Sequence, residues 1–192
     1  MKRNFLISIW MTLATTVLLG IIYPLVVTGL AQLLYPRQAN GELVYDTDGR
    51  IAGSKLLGQP FTSPGYFHSR PSASGAAGYD PMASGGSNLG PTNKALIDRV
   101  AGSVQSLGAE NPGAQIPVDL ATASGSGLDP HISPASADFQ IPRVAHERGM
   151  NEAEVRAMVQ KHTEPRQLGF LGEPRVNVLE LNLELDAVHP RR

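Results

Sequence analysis

Cysteine is absent from the 192 residues. That removes disulfide staples, thiolate metal ligands and cysteine nucleophiles together. Aromatic residues make up 6% of the chain and there is one tryptophan, so a modest core is expected rather than a large enzyme barrel. Basic excess is missing as well: the formal net charge is −1, which argues against a nucleic-acid module with its concentrated basic patch. No Gly-x-x-x-x-Gly-Lys-Ser/Thr run occurs, so there is no Walker-type nucleotide site. The five histidines (His68, His131, His146, His162 and His189) share no paired ligand spacing, and no metal site is expected. Charge itself is absent over one long stretch, from Asn4 to Pro36.

That stretch is almost wholly apolar over residues 5–34. About 20 apolar residues suffice for a helix to cross the hydrocarbon core, so residues 1–36 read as a membrane anchor marked by Leu6, Trp10, Thr16, Gly20 and Pro24. A cleavable secretory signal begins in the same way, with Lys2 and Arg3 ahead of an apolar run. Signal apolar regions span only roughly 7–15 residues, which favours a retained anchor. Thr12, Thr16, Gly20, Pro24 and Thr28 recur at every fourth position, a spacing that lets another membrane helix approach closely. Lys2 and Arg3 directly precede the span, whereas Arg37 and Arg50 follow it. The positive-inside bias therefore favours a cytoplasmic N-terminus and an extracytoplasmic main domain.

Residues 37–192 hold all but two of the 16 Lys and Arg against 17 Asp and Glu, leaving this part mildly acidic. The chain contains 20 Gly and 15 Pro, well above the average of roughly 12 per cent, which predicts one loop-rich α+β domain. Leu43-Val44-Tyr45 and residues 51–57 flank Asp48-Gly49, a turn dipeptide, and predict a hairpin. Residues 72–93 are rich in Gly, Ser and Pro. Leu96, Ile97, Val100, Val104 and Leu107 then share one helical face, with Thr92 as N-cap and Gly108 as the stop. Ser133-Pro134 starts another helix, and Pro142 is expected to interrupt it before 143–148 continues to Gly149. Asn151 with Glu154 forms a capping box for a helix over 152–162. Residues 177–189 alternate like a strand at Leu181-Asn182-Leu183-Glu184-Leu185, yet Asn177 with Glu180 and the Val178, Leu181, Leu185 spacing favour a helix.

Three clusters are dense in polar chemistry: Tyr66-Phe67-His68-Ser69-Arg70-Pro71, the glycine-rich run at 84–91, and the segment at 122–131. Ser126, His131 and Asp129 are the residue types of a nucleophile, base and orienting acid. A hydrolase elbow needs Gly-x-Ser-x-Gly, however. Gly85-Gly86-Ser87-Asn88-Leu89 fails at its last position, and Ser124 stands where Ser126 would need glycine. Turn-building is the better reading of these serines and glycines. The run at 84–90 ahead of a helix can present N–H groups to an anion, but a structural loop is favoured there too.

Further blocks stand in order along the chain. After the N-terminal span come Tyr66-Phe67-His68-Ser69-Arg70-Pro71-Ser72-Ala73, Ala83-Ser84-Gly85-Gly86-Ser87-Asn88 and Ile116-Pro117-Val118-Asp119-Leu120-Ala121-Thr122-Ala123-Ser124. Gly127-Leu128-Asp129, Gln140-Ile141-Pro142-Arg143-Val144-Ala145 and Leu179-Glu180-Leu181-Asn182-Leu183 complete the series. Taken together, the chain closely resembles the small C subunit of the bacterial high-affinity potassium-transporting P-type ATPase, over essentially its whole length. The Gly125-Ser126 and Pro130-His131 pairs are minor departures.

The resemblance implies an accessory subunit of the inner membrane rather than a free enzyme. Its implied partners are a channel-like potassium-translocating subunit and a P-type ATP-hydrolysing subunit. Its implied roles are to support assembly and to act as a catalytic chaperone raising ATP affinity. Potassium, and ATP with Mg, would be handled by the partners, with ATP shared with the hydrolysing subunit as an open alternative. The aspartyl-phosphate sequence Asp-Lys-Thr-Gly-Thr is absent, so this chain is not the phosphorylated subunit. Tyr66, Phe67, His68 and Arg70 are the first candidates for contact with a partner, followed by Asn88, Asp129 and His131. A membrane-anchored extracytoplasmic hydrolase acting through Ser126 or Ser87, or a solute-binding protein, is the alternative.

Overall fold

The computed structural model describes residues 1–46 and 48–190 and divides the chain into two compact units, Met1–Leu43 and Val44–Arg192. The first unit is helical. Helix α1 (Lys2–Val17) passes through a π-helical turn (Leu18–Ile22) into α2 (Tyr23–Leu34), followed by the short α3 (Pro36–Ala39). The first two helices and the π turn between them form one continuous helix, Lys2–Leu34, long and apolar enough to cross a membrane. The π turn has a local cause. Pro24 donates no N–H and its ring crowds the carbonyl four residues back; just before it the helix widens, and the Tyr23 N–H reaches Leu18 O, five residues back. The Thr15 hydroxyl donates to Met11 O at 2.8 Å and the Ser8 hydroxyl to Phe5 O at 2.8 Å. These bonds keep both polar groups on the helix's own carbonyls, as a lipid setting requires.

The second unit is a mixed α/β domain. Strands β1 (Leu43–Tyr45) and β2 (Ile51–Ser54) pair in a two-stranded sheet, and Gly49 takes a positive φ in the turn between them. Asp46 organises this turn: its carboxylate accepts from Asp48 N and Arg50 N at 2.9 and 2.8 Å. The second strand stops at Ser54 rather than running to residue 57, because Ser54 Oγ accepts from Leu56 N and bends the chain.

Residues 72–93 form a loop containing one 3₁₀ turn (Pro81–Ala83). Helix α4 (Lys94–Glu110) follows, capped by Asn93 rather than Thr92, since Asn93 Oδ1 accepts from Ala95 N at 2.9 Å. Asparagine is as good an N-cap as threonine or better. The helix runs past Gly108 and ends where Asn111 N bonds to Leu107 O. A single turn, α5 (Val118–Ala121), leads to β3 (His131–Ile132) and α6 (Pro134–Arg148).

Helix α6 is continuous through Pro142, contrary to the expected interruption. Proline costs about 3 kcal/mol in a helix interior, but Ile141, Val144 and Ala145 beside it are buried in the core. Burying such side chains returns roughly 1.5–3 kcal/mol for each large one, so packing overrides the local break. Ser133 caps this helix and Gly149, at φ +64, ends it. In α7 (Glu152–Lys161) the Asn151/Glu154 capping box is complete.

Strands β4 (Thr163–Glu164) and β5 (Arg175–Asn177) join β3 in an antiparallel sheet ordered β3-β5-β4, with His131 opposite Asn177 and Thr163 opposite Val176. Residues 178–188 are helix, α8 (Val178–Val188), the reading favoured from sequence. Asn177 Oδ1 accepts from Glu180 N, but the Glu180 side chain pairs with Lys55 at 3.1 Å instead of closing a capping box. The core joins Phe67 and Ile132 to one face each of α6, α7 and α8 and to Val176.

Candidate functional site

The segment at 66–71 has no regular secondary structure and crosses the domain between α6 and α8, so side chains must satisfy its backbone. Asn182 accepts from Phe67 N at 2.9 Å and donates to Phe67 O at 3.0 Å. Gln140 does the same for His68, accepting from its N–H at 2.7 Å and donating to its carbonyl at 3.2 Å. Two buried amides thus replace the two strands that would otherwise flank this chain. Phe67, expected among the partner contacts, is fully buried and its ring belongs to the core.

Two arginines of α6 fasten the approach to this segment. Arg143 binds Glu110 at 2.7 Å, Tyr66 O at 2.9 Å, Gln140 Oε1 at 2.7 Å and also Pro64 O. Arg148 donates to Gly65 O and pairs with Asp186 at 2.8 Å, its guanidinium 4.8 Å from the centre of the Tyr66 ring. The Tyr66 hydroxyl donates to the other oxygen of Asp186 at 2.7 Å. His68 Nε2 lies 3.1 Å from Ser63 O, and burial, helped by the Arg143 charge, pushes the imidazole below its usual value. His68 borders a cavity of about 440 Å³ with Gln140, Ser103, Ser106 and Glu110.

Arg70, Asp129 and His131 come together. Arg70 donates to Asp129 Oδ2 at 3.0 Å, and His131 N donates to Asp129 Oδ1 at 3.0 Å. Burial raises the Asp129 carboxyl, but the bonds from His131 and Arg70 outweigh it and hold the group below the usual carboxylate range. All three line a cavity of about 720 Å³ together with Val118, Asp119 and Arg175. Asp119 itself is spent on the start of α6, accepting from Ser133 N, Ser133 Oγ and Ser136 Oγ.

The glycine- and serine-rich stretches interlock. Ser72 Oγ donates to Gly127 O at 2.6 Å, Gly85 N to Ser126 O at 2.8 Å, and Ser124 N to Pro71 O at 3.1 Å. Ser74 Oγ closes its own loop through Asp80 O and Ala83 O. Ser126 Oγ accepts from Leu128 N at 3.1 Å, a turn bond, and among the described residues no hydrogen bond joins it to His131. Asn88 is exposed, with φ +52, apart from the other candidates' bonds. Sequence reasoning missed Gln140, Asn182, Arg143 and Arg148 as organisers. Their signal was a polar residue on the apolar face of a helix, Asn182 between Leu181 and Leu185 above all.

A family model for the K+-transporting ATPase c chain, KdpC, matches residues 5–187. The chain belongs to the KdpC family. It is 58% identical over 190 residues to the potassium-transporting ATPase KdpC subunit of Koribacter versatilis, covering 99% of this chain and 97% of that one. The KdpC subunit of Gemmatimonas aurantiaca is 57% identical over 189 residues, covering 98% and 94%. That of Methylococcus capsulatus is 54% identical over 190 residues, covering 98% and 100%. Among the described residues of this KdpC-family chain, one N-terminal helix is long and apolar enough to cross a membrane.

In this KdpC-family domain the charged groups act on stability with a definite sign. Like Asp129, Glu164 lies below its ordinary value: burial opposes this, but bonds from Arg175 and Lys55 prevail. In Glu184, Lys161 and then His162 lower the carboxyl against burial. A carboxyl depressed on folding contributes stability above its unfolded value and loses it as pH falls through the folded value. His68, lowered by burial, begins to withdraw its contribution below its ordinary value of 6.5, and resistance to urea should fall further as pH drops below the carboxylates' ordinary values of 4.5 and 3.8. Asp129→Asn should be less stable than the parent at pH 7 and show a shallower acid decline. Parallel curves for the two proteins would remove Asp129 from this account.

Proposed function

We propose that the chain is a non-catalytic accessory subunit of an ATP-driven potassium uptake complex. In this reading it is anchored once in the bacterial inner membrane, with its N-terminus cytoplasmic and its α/β domain extracytoplasmic. It supports assembly of a channel-like potassium-translocating subunit with a P-type ATP-hydrolysing subunit. As a catalytic chaperone it raises the ATP affinity of the latter through the membrane subunits, without direct contact with nucleotide, and it steadies the external ion entrance. ATP with Mg and potassium remain with the partners.

The observation that carries the reading is how the polar side chains are used. Gln140, Asn182, Arg143, Arg148 and Ser72 are bonded to the domain's own backbone, which suits a rigid docking body. The hydrolase alternative draws no such support, since Ser126 is engaged in its own turn.

The absence of cysteine supplies the test. Ser126 is exposed, and a single cysteine placed there in the assembled complex should react with a membrane-impermeant maleimide in intact cells. Reaction only after lysis would put the domain in the cytoplasm and restore direct cooperation over ATP.

A further inference from the structure

Between β4 and β5 the chain leaves the body of the domain as an arm. Every residue from Pro165 to Glu173 is exposed. The arm is nonetheless ordered by its own bonds: Gln167 N donates to Leu171 O and Leu171 N to Gln167 O, each at 2.9 Å, and Arg166 pairs with Glu173 across its base. Gly169 and Gly172 turn it at φ +81 and +74. Its tip is apolar, with Leu168 82%, Phe170 69% and Leu171 47% exposed. Leu168 moreover stands at φ +52, a left-handed conformation that branched apolar residues rarely adopt. Among the described residues the core does not repay that strain, since Leu168 is left in solvent rather than packed. A protruding, preorganised arm that places three large apolar side chains in water is built to fit something else.

The geometry points to the tip at 168–171 as a knob that enters an apolar socket on another chain of the potassium-transporting ATPase, on an extramembrane surface. This deepens the accessory-subunit reading and rests on it. Charge argues for a protein socket over lipid: the arm's cation, Arg166, is committed to Glu173, and Arg175 at its base is committed to Glu164 at 2.9 Å. An arm that binds anionic headgroups would keep its basic groups available. Size argues against a second copy of this chain. The three side chains offer on the order of 300 Å² of apolar surface, against roughly 800 Å² per partner in a free-standing specific complex. So small a contact suffices only for a protein already held beside its partner, and the N-terminal membrane helix supplies that tether.

Two measurements on the full chain test the proposal. In the first, Phe170→Asp is co-expressed with the other subunits and the complex is purified through one of them. The variant should keep a Tm within about 2 °C of the parent, because Phe170 is exposed. It should be retained in the complex at least tenfold less than the parent. Parent-like retention overturns the knob, whereas failure of the parent itself to co-purify overturns the accessory-subunit reading beneath it. In the second, Leu168→Cys carries an environment-sensitive fluorophore, specific because the chain has no other cysteine. Emission should shift to the blue in the assembled complex and stay unshifted for the chain alone in a lipid nanodisc. A shift already in the nanodisc, or none in the complex, overturns the assignment.

Discussion

Gly127→Ala is expected to destabilise the extramembrane domain by about 3 kcal/mol or more. The backbone there has φ +69, and a Cβ would stand 2.6 Å from Ser74 Cβ, 2.8 Å from Gly85 O and 2.9 Å from Ser74 N. Two of those three atoms are backbone, so no rotamer change relieves the collision. The loops that would have to separate are the ones joined through Gly127 O to Ser72 Oγ and through Ser126 O to Gly85 N. Arg70 and Asp129, at the two ends of this clasp, would shift with them. For a domain of this size the loss corresponds to a fall in Tm of roughly 10 °C. Gly125→Ala, two residues away, is the internal control: a Cβ there meets nothing within 4 Å, and a change within about 0.5 kcal/mol is expected. Equal urea midpoints for the two variants would show that the loops do not interlock as described.

This clasp marks the boundary of what the sequence conveys. Features fixed within a few residues were legible: the Asn151/Glu154 capping box, the Ser133-Pro134 start, the Gly149 stop and the helical spacing of Val178, Leu181 and Leu185. The apolar span announced itself by uncharged length alone. The errors came where a local rule met distant packing or where two neighbouring residues could each play the same local part. Pro142 reads as a break until the burial of Ile141, Val144 and Ala145 is known, and Thr92 reads as a cap until Asn93 is seen to accept from Ala95 N. The glycine-rich loops were recognised as turns, but no local pattern says that Gly85 lies against Ser126, some 40 residues on. The same holds for the site. Tyr66, His68 and Arg70 stood out by residue type, whereas Gln140 and Asn182, which hold that segment in place, act from helices 72 and 115 residues away.

Asn182 gives the second large effect, and its chemistry allows the role to be separated from simple packing. The side chain is 1% exposed and serves both backbone groups of Phe67, itself fully buried. Asn182→Leu keeps the volume but strands an N–H and a C=O where water does not reach them. At about 1–3 kcal/mol for each stranded group, a loss of about 3–5 kcal/mol is expected. Asn182→Asp keeps the acceptor for Phe67 N, but an ionised carboxylate has no proton to offer Phe67 O and is costly at this depth. Protonated, it restores both bonds. Burial must hold such a carboxyl above its ordinary value of about 3.9. Its stabilising contribution is then present below the unfolded value and lost as pH rises through the folded one. The parent behaves in the opposite sense on acidification, because Asp129, Glu164 and Glu184 are depressed. The quantity to measure is therefore the gap between Asn182→Asp and the parent, by urea denaturation across the acid range. A gap that is wide at pH 7 and narrows towards pH 4 identifies the paired hydrogen bonds as what fixes the 66–71 segment to the domain. A gap that stays constant with pH would assign Asn182 to packing alone and leave that segment held by Gln140 and the two arginines.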